Sequence, residues 1–418
     1  MTVAVRPEVV SEAISRVKSN GGSAGVDGMT VLELDSYWRL HGEKLCSVLV
    51  SGDYLPRPVR RVRIPKAGGG ERELGVPTVV DRVVQQMLLI VLEPRFEALF
   101  SDSSYGFRPN RSAHDAVTKA KEYVASGLGW VVDIDLERFF DRVNHDVLMS
   151  RLALRISDRR VLKLIRRFLN SGVMLNGVVM DTEEGTPQGG PLSPLLANVL
   201  LDDFDKELER RGLHFVRYAD DCNIYVGSNR AAARVLETAT DFLEVKLRLR
   251  VNRMKSASAP VSERRFLGFT ICRYAGGAYV RVSDKSLKRF KDEIRRRSSR
   301  VRRISPKEFM SDLDVYMTGW ACYYAKSVGG WNQFRELDRW VRTRIRQWLW
   351  VSWKTPYRRY SKLVQGGIPE KFARKTMWTQ SAWRAANHRC VERTIRISHI
   401  TQAGLTSLED HKRRFATL

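Results

Sequence analysis

Cysteine is scarce in this 418-residue chain, and acidic residues are scarce in its last third. The five cysteines (Cys46, Cys222, Cys272, Cys322 and Cys390) are odd in number and far apart. That pattern excludes a disulfide framework and zinc-ligand spacing, and it points to a reducing, cytoplasmic compartment. No apolar run is long enough to cross a bilayer, and the opening MTVAVRPEVVSEAISR lacks a hydrophobic signal core, so no membrane partner is expected. Internal repeats and low-complexity tracts are missing too, which excludes a repeat array.

What is present is positive charge. Lysine and arginine total 72 against 47 acids, a net +25 that must be solvated or meet a polyanion. Residues 281–418 hold 32 basic against 12 acidic residues, whereas the first 280 hold 40 against 35. Eight of the ten tryptophans share that basic last third, mixing phosphate-seeking cations with flat rings able to stack or pack. Most of the rings are expected in a core and most of the charge on nucleic acid. The length exceeds what one hydrophobic core usually serves, so two or three units are expected.

Along the chain, residues 8–19 read as a short amphipathic helix, and NGGSAGVDGMT (20–30) as a glycine-dense loop. RPVRRVRIPK (57–66) alternates like a strand, and AGGGERELGVP turns into a second one. A helix is expected over Asp81–Phe100, a strand over 130–140, helices within about 143–171, and a long helix opened by EGTPQGGPLSP and running to about Arg211. LHFVRYADDCNIYVGS reads as strand, tight turn and strand. From 283 the pattern is helical only. Ser305, Pro306 and Glu308 form a capping box with proline at the first helical position, and Trp331, Phe334, Trp340, Ile345 and Trp348 keep a helical period in a further helix. Together they suggest a three-helix bundle.

Joining a 3′ hydroxyl to a nucleotide α-phosphate requires deprotonation and neutralisation of a pentavalent charge, work suited to two divalent cations on hard oxygen ligands. Asp135 ends one expected strand, and Asp220 and Asp221 sit 85 residues further on at a hairpin tip. A lone pair of aspartates also suits a solvated turn. Here FVRY before it and IYV after it set the acids at a core edge.

The motifs DLERFFD, GTPQGGPLSPLLANVLL, YADD, NRMKS and RFLGF, with IPKAGGGERELGVP and YGFRPNRSAHDAV upstream, stand in the order found in group II intron-encoded reverse transcriptases, and the chain resembles that family over nearly its whole length. It is most similar to the compact bacterial class. The resemblance implies an α/β (α+β) right-hand polymerase: an N-terminal extension (1–50) whose glycine loop covers the template, and fingers and palm of antiparallel sheet flanked by helices (51–282). A helical thumb or maturase domain (283–370) and a C-terminal DNA-binding segment (371–418) follow.

It also implies roles. Asp135 and Asp220 would ligate two Mg²⁺ ions, with Mn²⁺ an admissible substitute, the Leu136 carbonyl would complete one shell, and Asp221 would be the third carboxylate. Lys66, Arg72, Phe140, Gln188 and Lys255 would bind the nucleotide. Within that set Phe140 is the steric gate against a ribose 2′-hydroxyl, and Lys66 and Arg72 are a fingertip pair for the triphosphate. Arg108, Tyr218, Asn252, Leu267 and Gly268 would hold primer and template. A plain core role for Phe140, a solvated hairpin for Lys66 and Arg72, and surface polarity for Asn252 or Lys255 are the bland alternatives.

His388, His399 and His411 with Cys390 lack the paired spacing of an appended endonuclease, so none is expected. The implied partners are RNA template and intron RNA, DNA primer and target, and deoxynucleotides, with a homodimer admissible. The implied activity is RNA-directed DNA synthesis with maturase function in splicing and target-primed mobility. A domesticated relative in repair or defence, or an RNA-binding maturase without polymerase activity, would share much of this sequence; intact YADD argues against the latter.

Overall fold

The computed structural model describes residues 1–65, 71–175, 178–180, 185, 189–299, 304–326 and 332–416. They form two compact units, Met1–Pro260 and Val261–Leu418. The sequence had suggested a break after residue 282, one hairpin later.

The first unit opens with helices α1 (Pro7–Asn20), closed by Gly21 in the left-handed region, and α2 (Leu34–Ser51). Strands β1 (Val59–Pro65) and β2 (Glu71–Val76) pair antiparallel. Helix α3 (Val79–Glu97) starts at Thr78, whose hydroxyl accepts the Asp81 N–H, and its residues from Val79 to Leu88 are all buried. Helix α4 (Ala113–Ala125) begins with a Ser112–Asp115 capping box and leads to β3 (Trp130–Ile134). The strand expected over 130–140 stops at Ile134. Arg138 turns left-handed at φ +49°, and Phe139–Asp141 coil into a 3₁₀ turn.

Helices α5 (His145–Ala153) and α6 (Arg159–Leu169) precede short strands β4 (Val173–Leu175) and β5 (Val178–Met180). Helix α7 (Ser193–Arg210) is buried over most of its length, as its apolar run SPLLANVLL demands. Strands β6 (His214–Tyr218) and β7 (Asp221–Val226), helix α8 (Asn229–Asp241) and β8 (Ala257–Pro260) complete the unit. The main sheet is antiparallel with order β6-β7-β3-β8, and a second sheet has order β2-β1-β4-β5. Antiparallel sheet flanked by helices is the α+β arrangement expected.

The second unit starts with the hairpin β9 (Phe269–Tyr274) and β10 (Gly277–Val282), then turns helical: α9 (Asp284–Arg297), α10 (Pro306–Tyr324) and α11 (Asn332–Ser352). The Ser305–Glu308 capping box forms as read from sequence. Phe290, Phe309, Phe334 and Trp350 are fully buried, Trp348 stacks on Phe309 at 4.2 Å between centroids, and Trp331 lies outside the described residues. Trp378 and Trp383 are 61% and 65% exposed, so not every ring of this region is core.

Short helices α12 (Pro356–Gln365), α13 (Glu370–Thr376), α14 (Ala382–Ala386), α15 (Arg389–Thr394) and α16 (Ile397–Gln402) lead to α17 (Leu408–Ala416), which packs back on α10 and α11. The Asp338 carboxylate of α11 accepts the Leu408 and Glu409 N–H groups at 2.8 and 3.0 Å, and Asp314 accepts that of Thr406 at 2.7 Å. The bundle expected to hold three helices therefore has a fourth, drawn from the chain's end.

Asp338→Ala should cost about 1–3 kcal/mol in denaturant unfolding, because two N–H groups at the start of α17 lose their acceptor. A second test uses pH. His411 is buried with Nε2 3.2 Å from Thr318 Oγ1, and burial holds its pKa below the ordinary 6.5, against the pull of Asp314. The unfolded chain therefore binds this proton more tightly. Stability should be undiminished above about pH 6.5 and fall below it, and His411→Phe should flatten that slope in thermal melts between pH 7.5 and 5.5.

Candidate active site

Strands β3 and β7 pair from Trp130↔Val226 to Ile134↔Cys222, so one step further along the register Asp135 lies level with Asp221. The β6–β7 hairpin closes through Tyr218↔Asp221, leaving Ala219 and Asp220 as its two turn residues. Ala219 sits at φ +58°, the sign a two-residue turn needs at its first central position to match strand twist. Aspartates separated by 85 residues thus meet at one end of one sheet.

Buried contacts hold the turn from behind. Arg217 of β6 is 1% exposed and grips Asp205 of α7 with Nε at 2.7 Å from Oδ1 and Nη2 at 2.5 Å from Oδ2. Its Nη1 donates to Asn198 Oδ1 at 2.9 Å and to the Ala219 carbonyl at 3.0 Å. Burial pushes the Asp205 carboxyl up, opposed by the Arg217 charge and its hydrogen bonds. Asn198 Nδ2 in turn donates to the Gly106 carbonyl at 2.9 Å. A Cβ on Gly106 would collide with Ala219 N, so YGF needs its glycine for close approach to the hairpin.

Asp135 is anchored by the NRMKS loop. Its N–H donates to Ser256 Oγ at 2.9 Å, and its carbonyl accepts the Asn252 N–H at 2.8 Å. Lys255 Nζ stands 3.1 and 3.2 Å from the two carboxylate oxygens of Asp135. Asp135, Leu136, Phe140, Asp220, Asn252 and Lys255 all line one cavity of about 830 Å³, which also takes Arg63, Glu71 and Glu73 from the β1–β2 hairpin. Phe140 packs edge-on against Phe139, with centroids 5.2 Å apart, and is half-buried at the wall. Tyr218 is half-buried, 6.5 Å from the Phe107 ring.

Among the described residues, no three Asp, Glu, His or Cys side chains already stand at ligand distance from a common point. The convergence of Asp135, Asp220 and Asp221 rests on their register and on the cavity that Asp135 and Asp220 share. The donor set is chemically suited to a hard divalent cation: carboxylate oxygens at strand ends with a backbone carbonyl beside them.

The other expected contacts divide. Lys66 and Gln188 lie outside the described residues, and Arg72 is placed by its backbone, which pairs with Ile64. Around Gln188, Gly189 at φ +124° lies so close to β2 that a Cβ would sit 2.8 Å from the Gly75 carbonyl. The Gly185 carbonyl lies 2.6 Å from His145 Nε2. Leu267 and Gly268 belong to the second unit. There the Leu267 carbonyl accepts from Tyr323 Oη at 2.9 Å, and the Gly268 carbonyl from Ser283 N and Ser286 Oγ, both at 3.0 Å.

Arg108, expected to hold primer or template, has its side chain buried here. Its side chain is 2% exposed and forks onto the Glu97 carboxylate, while Nη1 donates to the Ser101 and Ser104 carbonyls. Its donors are turned inward, so it ties down the loop before α4. Sequence reading missed Arg217, Asp205, Asn198, Gly106, His145 and Ser256. For Arg217 a signal existed: an arginine between apolar residues of a strand must find a buried partner.

Residues 64–271 match the family model of reverse transcriptase (RNA-dependent DNA polymerase), and residues 287–365 that of the group II intron, maturase-specific domain. Protein YkfC of Escherichia coli is 34% identical over 309 residues, covering 64% of this chain and 81% of that protein. The chain belongs to the group II intron reverse transcriptase and maturase family.

Group II intron-encoded protein LtrA of Lactococcus lactis is 37% identical over 214 residues, 51% of this chain but 35% of LtrA. A 91 kDa protein in a cob intron of Schizosaccharomyces pombe is 36% identical over 204 residues, 47% of this chain and 24% of that protein. The chain thus spans most of YkfC but about a third of LtrA. RNA-directed DNA polymerase and maturase function follows from membership, with nucleic-acid partners and a general need for a divalent metal. No described helix is long and apolar enough to cross a membrane.

Gly106→Ala should push the Ala219–Asp220 turn out of place and lower primer extension about 100-fold, the scale expected when a group at a reacting site shifts by roughly an ångström. Steady-state extension checks it, with circular dichroism to verify the fold.

Proposed function

We propose that the chain copies RNA into DNA at the cavity of Asp135, Asp220 and Asp221, with two Mg²⁺ ions as cofactors and deoxynucleoside triphosphates as substrates. It binds intron RNA as a maturase and primes synthesis from target DNA. The observation that carries the reading is the cavity itself: Asp135 and Asp220, far apart in sequence, line it together with Phe140, Asn252 and Lys255.

Asp135 and Asp220 would hold both cations, with the Leu136 carbonyl and Asp221 completing the ligands. When bound, such ions lower the pKa of the attacking hydroxyl and neutralise charge on the phosphate. The protein's own groups do the rest. Phe140 occupies the wall where a 2′-hydroxyl would project, favouring deoxyribose by shape. Lys255 gives up Asp135 to meet the departing pyrophosphate, and Lys66 and Arg72 hold the incoming triphosphate. Gln188 meets the nascent pair. Tyr218 and Asn252 support the primer end, and Leu267 and Gly268 of the second unit grip the primer strand.

Asp220→Asn should reduce extension of a DNA primer on an RNA template in Mg²⁺ to background; synthesis at the wild-type rate would refute the assignment. Phe140→Ala should raise ribonucleotide incorporation relative to deoxynucleotide by about 10–100-fold, the range that one side chain's fit commands. Competition between labelled UTP and dTTP measures that ratio.

A further inference from the structure

Arg217 and Asp205 are 1% and 0% exposed, so the first unit carries a full ion pair inside its core. Stability alone does not account for it, because well-packed apolar residues of similar volume usually replace a buried pair with no loss. What apolar residues could not do is reach the turn. The guanidinium places Nη1 on the carbonyl of Ala219, the residue immediately before Asp220, and on Asn198, which holds Gly106 against the same turn. The Arg217 backbone is also fixed, its N–H donating to Ser103 O at 2.9 Å and its carbonyl accepting Tyr105 N–H at 2.8 Å. The fork on Asp205 leaves the guanidinium plane no freedom to swing.

We propose that Arg217, oriented by Asp205 and Asn198, is a positioning residue for the reaction: through the Ala219 carbonyl it sets the height of the hairpin that presents Asp220 and Asp221. It touches no substrate. The inference rests on the polymerase reading above.

The test is the double variant Arg217→Met/Asp205→Leu in the full chain, which removes both charges and keeps the volume. Expected is a folded chain whose denaturant midpoint is lowered, because the Ala219 carbonyl and Asn198 Oδ1 lose their donor, with kcat about 100-fold lower, a several-fold rise in the Mg²⁺ concentration giving half-maximal rate, and unchanged KM for primer–template. A folded double variant with wild-type kcat and Mg²⁺ dependence would overturn the proposal.

Should the double variant fold poorly, Arg217→Lys decides. It keeps the charge beside Asp205 but loses the fork, and the same Mg²⁺ and kcat signature is expected in milder form. Wild-type kinetics from that folded variant would reduce the pair to a structural one. Asp220→Asn, run alongside, separates the two ideas, since only its retained activity would sink the polymerase site itself.

Discussion

The alignment of β3 with β7 is the constraint on which the rest of the site depends. Two carboxylates about 4 Å apart repel by roughly 4 kcal/mol at an effective dielectric of about 20, so acids drawn to one place drift apart unless their backbones are held. Here neither backbone relies on the acid it presents. Asp135 is clamped by Asn252 and Ser256 from the NRMKS loop, and the Ala219–Asp220 turn is clamped by Arg217 and Gly106. The five paired positions between Trp130 and Ile134 then fix one clamp relative to the other.

How much of this was legible depends on whether a feature is local. The Ser305–Glu308 cap, the apolar run of α7 and the alternation around YADD carry their structure within a few residues, and each appears as read. The strand ending at Ile134 was overrun because nothing in LERFF announces that Arg138 will turn left-handed. Arginines were the hardest to read. Arg108 in a binding motif and Arg217 in a strand look alike in sequence, and both turn out to be internal clamps, because which donors are spent inside depends on partners eleven and twelve residues away in space-filling loops and helices. The α17 helix posed the same problem at longer range: Ser407 caps it locally, but the carboxylates that tie its start to the bundle are those of Asp314 and Asp338.

In the helical unit, the net charge overstates what is on offer to a polyanion. Arg346 is paired with Glu392 at 2.9 Å, Arg297 with Glu293 at 2.8 Å, and Arg295 lies over the Trp340 ring at 5.5 Å. Those cations build the bundle. The exposed rings Trp378 and Trp383 lie instead among cations such as Lys375 and Arg384 in a region poor in acids, an arrangement suited to stacking on bases beside a phosphate chain. Family membership supplies the nucleic acid as partner, and the cations paired inside the bundle are not on offer to it.

The active-site unit contains two ion pairs of opposite character. Lys255 is 62% exposed where it meets Asp135, and such a pair contributes about 0–1 kcal/mol, so exchanging it for another cation or for a phosphate costs little. Arg217 and Asp205 are sealed from water, and removing one partner of such a pair costs about 3–5 kcal/mol. On the proposed function the two kinds divide the work: the carboxylate that would change partners is held by a weak bond at the surface, and the hairpin that would present the other acids is held by a strong one in the core. Exchanging the two environments would give a site that binds its ligands too reluctantly or presents them too loosely.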